Sequence, residues 1–204
     1  MLGGLFAILA AATLAFNNVS VRRGVLTGSV AQAIFITVPI GVPIFLLFTF
    51  VVGQFDLIAT FTRSSIFLLC LAGFLQFVWG RYFNYKSTEA MGANVAGTVV
   101  NLNLIVSLVL AVAFLREELT PLRLIGIALT FLAPGIILRS RRKGAAGGKG
   151  AAQPTFRPQY LKGYIFAILC ALGFGTTPIL IRTALADTGA AGGIAGGLVS
   201  YGAA

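Results

Sequence analysis

Apolar residues fill most of the chain in long continuous blocks, without the period-2 alternation of membrane strands, and short polar or glycine-bearing stretches separate the blocks. The blocks cover residues 2–19, 30–52, 64–85, 92–115, 121–138 and 161–181, and a seventh, 190–204, is 15 residues long. A hydrocarbon core of about 30 Å takes roughly 20 residues of α-helix. The first six blocks are therefore predicted to be membrane-spanning helices and the seventh a partial one.

The punctuation supports this division. Between the fourth and fifth blocks stands the turn Arg116-Glu117-Glu118-Leu119-Thr120-Pro121. Thr120 is placed to cap the fifth helix through its hydroxyl, and Pro121 falls at the first helical position, where a missing N–H costs nothing. Arg22 and Arg23 close the first block, and Gly24 and Gly28 follow in a turn region. The first block is N-terminal and Ala-rich like a signal peptide, but it lacks the positive n-region. The second block carries Pro39 and Pro43 in its interior. Proline there frees backbone carbonyls and kinks the helix, which makes the pair a candidate hinge beside the simpler reading of kinked packing. Residues 139–160 are a basic Gly/Ala/Pro stretch without periodicity, the composition of a flexible linker.

Composition turns this pattern into a class. The chain is 58% apolar and 10% charged, with a mean hydropathy of +0.96, whereas a soluble domain carries roughly 25% charge. Lipid offers the backbone no hydrogen-bond partner, so the spans are helices. The fold class expected is an all-α integral membrane protein, a polytopic helical bundle.

The net charge of +10 does not indicate nucleic acid here. Seven of the 15 basic residues, Arg139, Arg141, Arg142, Lys143, Lys149, Arg157 and Lys162, lie in one inter-helix segment without aromatic interleaving. Such a cluster suits a cytoplasmic loop facing anionic lipid. Cys70 and Cys170 both fall inside apolar blocks and behave as small hydrophobes, not as a disulfide framework or metal site. Histidine is absent, which removes the commonest metal ligand and general base together. No enzyme, cofactor or metal is expected: a membrane enzyme would need a clustered set of Asp, His or Cys near the interface.

Polar residues inside the blocks are the candidates for chemistry, because unpaired polar groups at membrane depth cost several kcal/mol and turn toward protein or a wet cavity. Gly73, Gln76, Gly80 and Phe83 recur at helical spacing, so Gln76 is predicted to face protein, with Trp79 nearby. In the fourth block Asn94, Thr98 and Asn101 share one stripe, while Asn103 and Ser107 share another that reads as interhelical packing. Asn17, Gln76, Trp79, Asn94, Thr98, Asn101 and Thr177 are the substrate-cavity candidates, amides to orient a solute and aromatics to shape its site. Arg81 is the candidate anion contact, set against the alternative of an interfacial arginine that snorkels.

Residue n also matches residue n+160. Gly3 meets Gly163, Phe6-Ala7-Ile8-Leu9 meets Phe166-Ala167-Ile168-Leu169, Ala11 meets Ala171 and Arg22 meets Arg182. Five predicted helices separate the two starts, and an odd number inverts the second copy, giving an inverted-topology repeat of the alternating-access kind.

The segment Tyr85-Lys86-Ser87-Thr88-Glu89-Ala90, the helix after it, Leu115-Arg116-Glu117-Glu118-Leu119-Thr120-Pro121, and then Gly126 and Leu129 together resemble the end of an EamA domain. The chain thus resembles the drug/metabolite transporter superfamily, whose members are built of ten helices in two five-helix repeats. That implies one full repeat over 1–138 and the start of a second over 161–204, about six and a half helices of ten, as if the chain were truncated. Two departures stand out: Asn103-Leu104 where the family has a mid-helix proline, and Arg116 where it has glycine before the hairpin glutamate. Glu117, Thr120, Pro121 and Gly126 are expected to be structural, on the side where relatives pack or form homodimers.

The carboxylates Asp56, Glu89, Glu117, Glu118 and Asp187 all fall at loops or helix ends. This disfavours a cationic cargo held by an intramembrane acid. The expected function is a secondary-type carrier of a small neutral, zwitterionic or anionic metabolite in the cytoplasmic membrane; the alternative is a non-transport scaffold or an inactive transporter fragment. Arg and Lys counts of 11 inside against 3 outside place the N-terminus outside and the linker in the cytoplasm.

Overall fold

The computed structural model describes residues 2–116 and 159–204, together with Thr120 and residues 124–126, 128, 129 and 132. Most of the fifth block and of the linker lies outside the described residues. Among the described residues there is no strand, and the chain is an all-α polytopic membrane protein. Among the described residues four helical stretches are long and apolar enough to cross a membrane: Val30–Val52, Arg63–Met91, Ala93–Leu115 and Tyr160–Ala184.

Helix α1 runs Leu2–Thr27, longer than the block ending at residue 19. Two arginines do not stop a helix, and the amide of Gly28 still bonds the Gly24 carbonyl at 2.8 Å. The break comes where Ser29 caps α2 (Val30–Val52): its hydroxyl accepts the Gln32 amide while the Gln32 side chain accepts the Ser29 amide. Helix α2 ends at Gly53, whose φ of 70° is a left-handed cap that glycine adopts freely. A short helix α3, Phe55–Thr60, follows.

The third block is one rod of three parts: α4 (Arg63–Gly73), a π-helical segment (Phe74–Gly80) and α5 (Arg81–Met91). Thr62 caps its start by accepting the Ser65 amide at 3.2 Å. The rod passes beyond residue 85, through Lys86, Ser87, Thr88 and Glu89, and stops at Gly92 with φ 84°. The fourth block is divided into α6 (Ala93–Val100) and α7 (Asn103–Leu115). Tight i→i+3 bonds at the junction, Leu102 to Val99 at 3.0 Å and Leu104 to Asn101 at 3.1 Å, break it without proline. Helix α8 spans Tyr160–Ala184, and after a 3-10 turn helix α9 covers Gly193–Gly202.

Helix α8 is the axis of the bundle: it packs on α4, the π-helical segment, α5, α6 and α7, while α9 packs on α2 and α4. Small residues let it do so. A side chain at Gly163 would meet Met91, one at Gly173 would meet Trp79, and one at Gly175 would meet Val106 and the Asn103 carbonyl, each within 2.8 Å. Ala167, Cys170 and Ala171 are buried between them. The outer faces of α1 and α2 carry Phe16, Phe35 and Phe50, each more than 70% exposed, as a lipid-facing surface requires.

At Gly73 an added methyl would run into the Ser200 carbonyl, which is backbone and cannot swing aside. Gly73→Ala is expected to lower stability by about 1–3 kcal/mol. Gly97→Ala, with open space around it, is expected to be neutral or slightly stabilising. Thermal unfolding of both variants in one detergent checks the contrast.

Candidate functional site

Two spanning stretches leave α-helical geometry near their middles, and a third carries two prolines there. In α2 Pro39 and Pro43 flank Gly41, which stands eleven residues from either end. In the rod the π-helical segment is centred on Phe77, fourteen residues from either end. In Ala93–Leu115 the break at Asn101-Leu102 falls next to the middle. Such departures leave carbonyls without their usual helical donors.

Tyr201 of α9 occupies the space between two of these stretches. Its ring lies where a side chain at Gly41 would be. It stacks on Phe77 at 3.7 Å between centroids and on Phe45 at 5.0 Å. Arg81, one turn beyond Phe77, donates from Nη2 to the Tyr201 hydroxyl at 3.1 Å, and its guanidinium lies 5.1 Å from the Phe77 ring centre. Arg81 is half-buried. Lys86 pairs with Glu89 at 2.9 Å near the end of α5, and among the described residues no carboxylate is found paired with Arg81.

The opposite side of the π-helical segment faces α8. Trp79 donates its indole N–H to the Leu169 carbonyl at 3.1 Å and meets Phe83 edge-on at 4.8 Å, and Phe83 stacks on Phe166 at 5.8 Å. Gly80 admits the Phe174 ring. Ser200 donates to the Leu69 carbonyl at 3.0 Å, tying α9 to α4. Gly73 meets α9 and Gly80 meets α8, so residues expected on one face serve two different neighbours.

The other candidates are scattered. Gln76 is half-buried within the π-helical segment. Thr177 is buried, but its hydroxyl bonds the Gly173 carbonyl of its own helix at 2.9 Å. Asn17 is exposed on α1. The buried side of α6 is Ala96 and Val100, packed with Ala167 and Cys170. Asn94 is exposed, Thr98 returns its hydroxyl to the Asn94 carbonyl at 2.9 Å, and Asn101 is half-buried at the helix break. Among the described residues no hydrogen bond links that stripe to Arg81 and Tyr201. Glu117 and Pro121 lie outside the described residues. Thr120 accepts the Leu124 amide on its carbonyl at 3.2 Å, as the residue before a helix does, and Gly126 is exposed. Pro39 and Pro43 bracket the Gly41–Tyr201 contact. Sequence reasoning missed Tyr201 and Phe77 as partners of Arg81; only the four-residue spacing of Phe77 and Arg81 pointed that way.

A separate cleft of about 340 Å³ opens at the end of the rod, lined by Lys86, Glu89, Ala90, Gln159, Lys162 and Phe166. It contains none of the cavity candidates. Among the described residues no group of three His, Cys, Asp or Glu side chains is placed to hold a metal ion.

The sequence model of the EamA-like transporter family matches residues 1–139. No curated protein and no solved structure matches the chain.

Trp79 is the sole tryptophan, and Trp79→Phe removes the bond to Leu169 while keeping an aromatic ring against Phe83. The expected loss is about 1 kcal/mol of stability, read from unfolding in mixed micelles by circular dichroism.

Proposed function

The chain belongs to the EamA-like transporter family, and from that premise we propose that it carries a small metabolite across the cytoplasmic membrane by alternating access. The observation that carries this reading is Arg81, which stands near the middle of a spanning stretch beside the π-helical segment and, through Tyr201, against the proline-bearing helix α2. Carriers hold their solutes near the midplane where helices are discontinuous, and an ionisable residue there marks a solute path. Arg81 supplies positive charge, while Asp56 lies in α3, Glu89 near the end of α5 and Asp187 beyond α8. This favours a neutral, zwitterionic or anionic solute over a cation.

The two-repeat reading belongs to the same proposal. Helices α1 and α8, the paired starts of the n+160 match, are 26 and 25 residues long. The Gln159 amide bonds the Ala90 carbonyl at 2.8 Å, so α8 leaves from the side where the rod ends. That agrees with a fifth crossing before the linker, and the described residues 124–126, 128, 129 and 132 are helical. With the basic residues on that side, the linker is cytoplasmic and the N-terminus outside. A homodimer through the Glu117–Gly126 side completes the proposal.

Uptake into proteoliposomes tests the carrier directly, with a screen for metabolites that raise the melting temperature. No stabilisation across a broad panel together with no flux would sink it. If α2 bends during the cycle, replacing Pro39 and Pro43 together by alanine is expected to slow flux about tenfold or more while leaving solute affinity within about twofold, since a barrier change of about 1.4 kcal/mol is tenfold in rate. Equal loss of both, or no change, contradicts the hinge.

A further inference from the structure

A guanidinium has five N–H donors in a planar fork and stays charged. Arg81 gives one of them to Tyr201, and among the described residues no other acceptor takes the rest. It stands one turn from the centre of a rod that spans the membrane. At such depth a cation is costly unless an anion or a set of acceptors meets it. The ring faces of Phe77 and Tyr201 partly offset its charge, at 5.1 and 6.0 Å from the guanidinium carbon. They accept no hydrogen bond in the plane of the fork.

We infer that Arg81 and Tyr201 together form the binding pair for a single carboxylate, on a solute whose remaining body is apolar. Because the Tyr201 oxygen already accepts from Arg81, its own proton is free to donate, so fork and phenol offer converging donors to one planar anion. The carboxylate geometry matches the fork in a way that a spherical anion does not. The charge count limits the class. Lys86 and Lys162, the cations lining the cleft at the rod end, lie more than a helical turn from Arg81, and Lys86 is paired with Glu89. Among the described residues Arg81 is the cation nearest the middle of a spanning stretch, and one such charge matches one negative charge, which disfavours di- and polyanions. An α-ammonium group would find no acid beside it among the described residues. Phe45 and Phe77 stack on the Tyr201 ring beside Arg81, so the surroundings of the pair are apolar, as a non-polar body requires. The inference rests on the carrier reading and narrows its substrate class to monocarboxylates.

The test uses the full chain, purified in detergent, with acetate, lactate and benzoate as probes, and with benzamide, an isosteric neutral comparison, and benzylamine and phthalate, a cationic and a dianionic one. The monocarboxylates are expected to raise the melting temperature, benzoate most, and the three comparisons are not. Arg81→Gln is expected to weaken benzoate by ~100-fold and Tyr201→Phe by ~5-fold, as loss of a charge-assisted and a neutral hydrogen bond would. Arg81→Lys keeps the charge without the fork, so it is expected to retain the preference for benzoate over benzamide at ~10-fold lower affinity. That variant and Tyr201→Phe keep the test open should Arg81→Gln fail to fold. Benzamide binding as well as benzoate, a folded Arg81→Gln that binds benzoate unchanged, or no response to any monocarboxylate overturns the pair. If a neutral or zwitterionic solute is then carried with the same kinetics by Arg81→Gln, the carrier reading stands and only the pair falls. No flux and no stabilisation by any solute removes both.

Discussion

A backbone in hydrocarbon has no water to turn to, and every carbonyl that a helix does not satisfy must find a partner inside the protein. Most of this bundle meets that demand with continuous helix. At mid-depth it does not, because Pro39 and Pro43 cannot donate to the carbonyls of Phe35 and Pro39, Phe74–Gly80 is π-helical, and α6 breaks from α7. The side chains of the same region carry donors onto backbone carbonyls, as Trp79 does onto Leu169, Ser200 onto Leu69 and Thr177 onto Gly173. These acceptors, Leu169, Leu69 and Gly173, lie within regular helix, so the donors tie neighbouring segments together or fold back on their own helix beside the irregular backbone.

Close approach is the second requirement, and small residues supply it. Lipid tails are as apolar as leucine, so helices associate through packing and a few hydrogen bonds rather than through exclusion from water. Gly163, Ala167, Cys170, Gly173 and Gly175 make α8 narrow enough to sit among five helical segments at once. Gly41 and Gly73 do the same for α9, whose Tyr201 and Ser200 reach α2 and α4. Aromatic rings enter the gaps so left: Tyr201 opposite Gly41, Phe174 opposite Gly80, Trp79 opposite Gly173 and Phe45 opposite Gly197.

The sequence made the helices legible because their signal is local. Twenty apolar residues can be counted, and the second block was placed at 30–52, the bounds α2 shows. Prolines announce themselves in the same way. Ends were less legible where polar residues simply continue a helix, as at Arg22-Arg23 and through Lys86 to Glu89. The π-helical segment has no residue signature at all; it coincides with Gly73 meeting α9 and Gly80 meeting α8, contacts between residues far apart in the chain. Tyr201 was invisible for the same reason. Its meaning comes from Arg81, 120 residues away, and its own Gly/Ala-rich surroundings carry no polar signal.

The absent proline of the fourth block sharpens the point. Asn103-Leu104 stands where the resemblance to the family leads one to expect proline, and the local kink would be expected to vanish without it. The structure breaks the helix two residues earlier instead, through i→i+3 bonds around Asn101 and Leu102. Next to that break Gly175 of α8 faces Val106 and the Asn103 carbonyl, so tightly that a methyl group would not fit. A helix pressed this closely against α8 can hold a tight turn that its own residues do not demand. The break near the middle of the stretch therefore coincides with close packing against α8, and not with the residue that would ordinarily announce it.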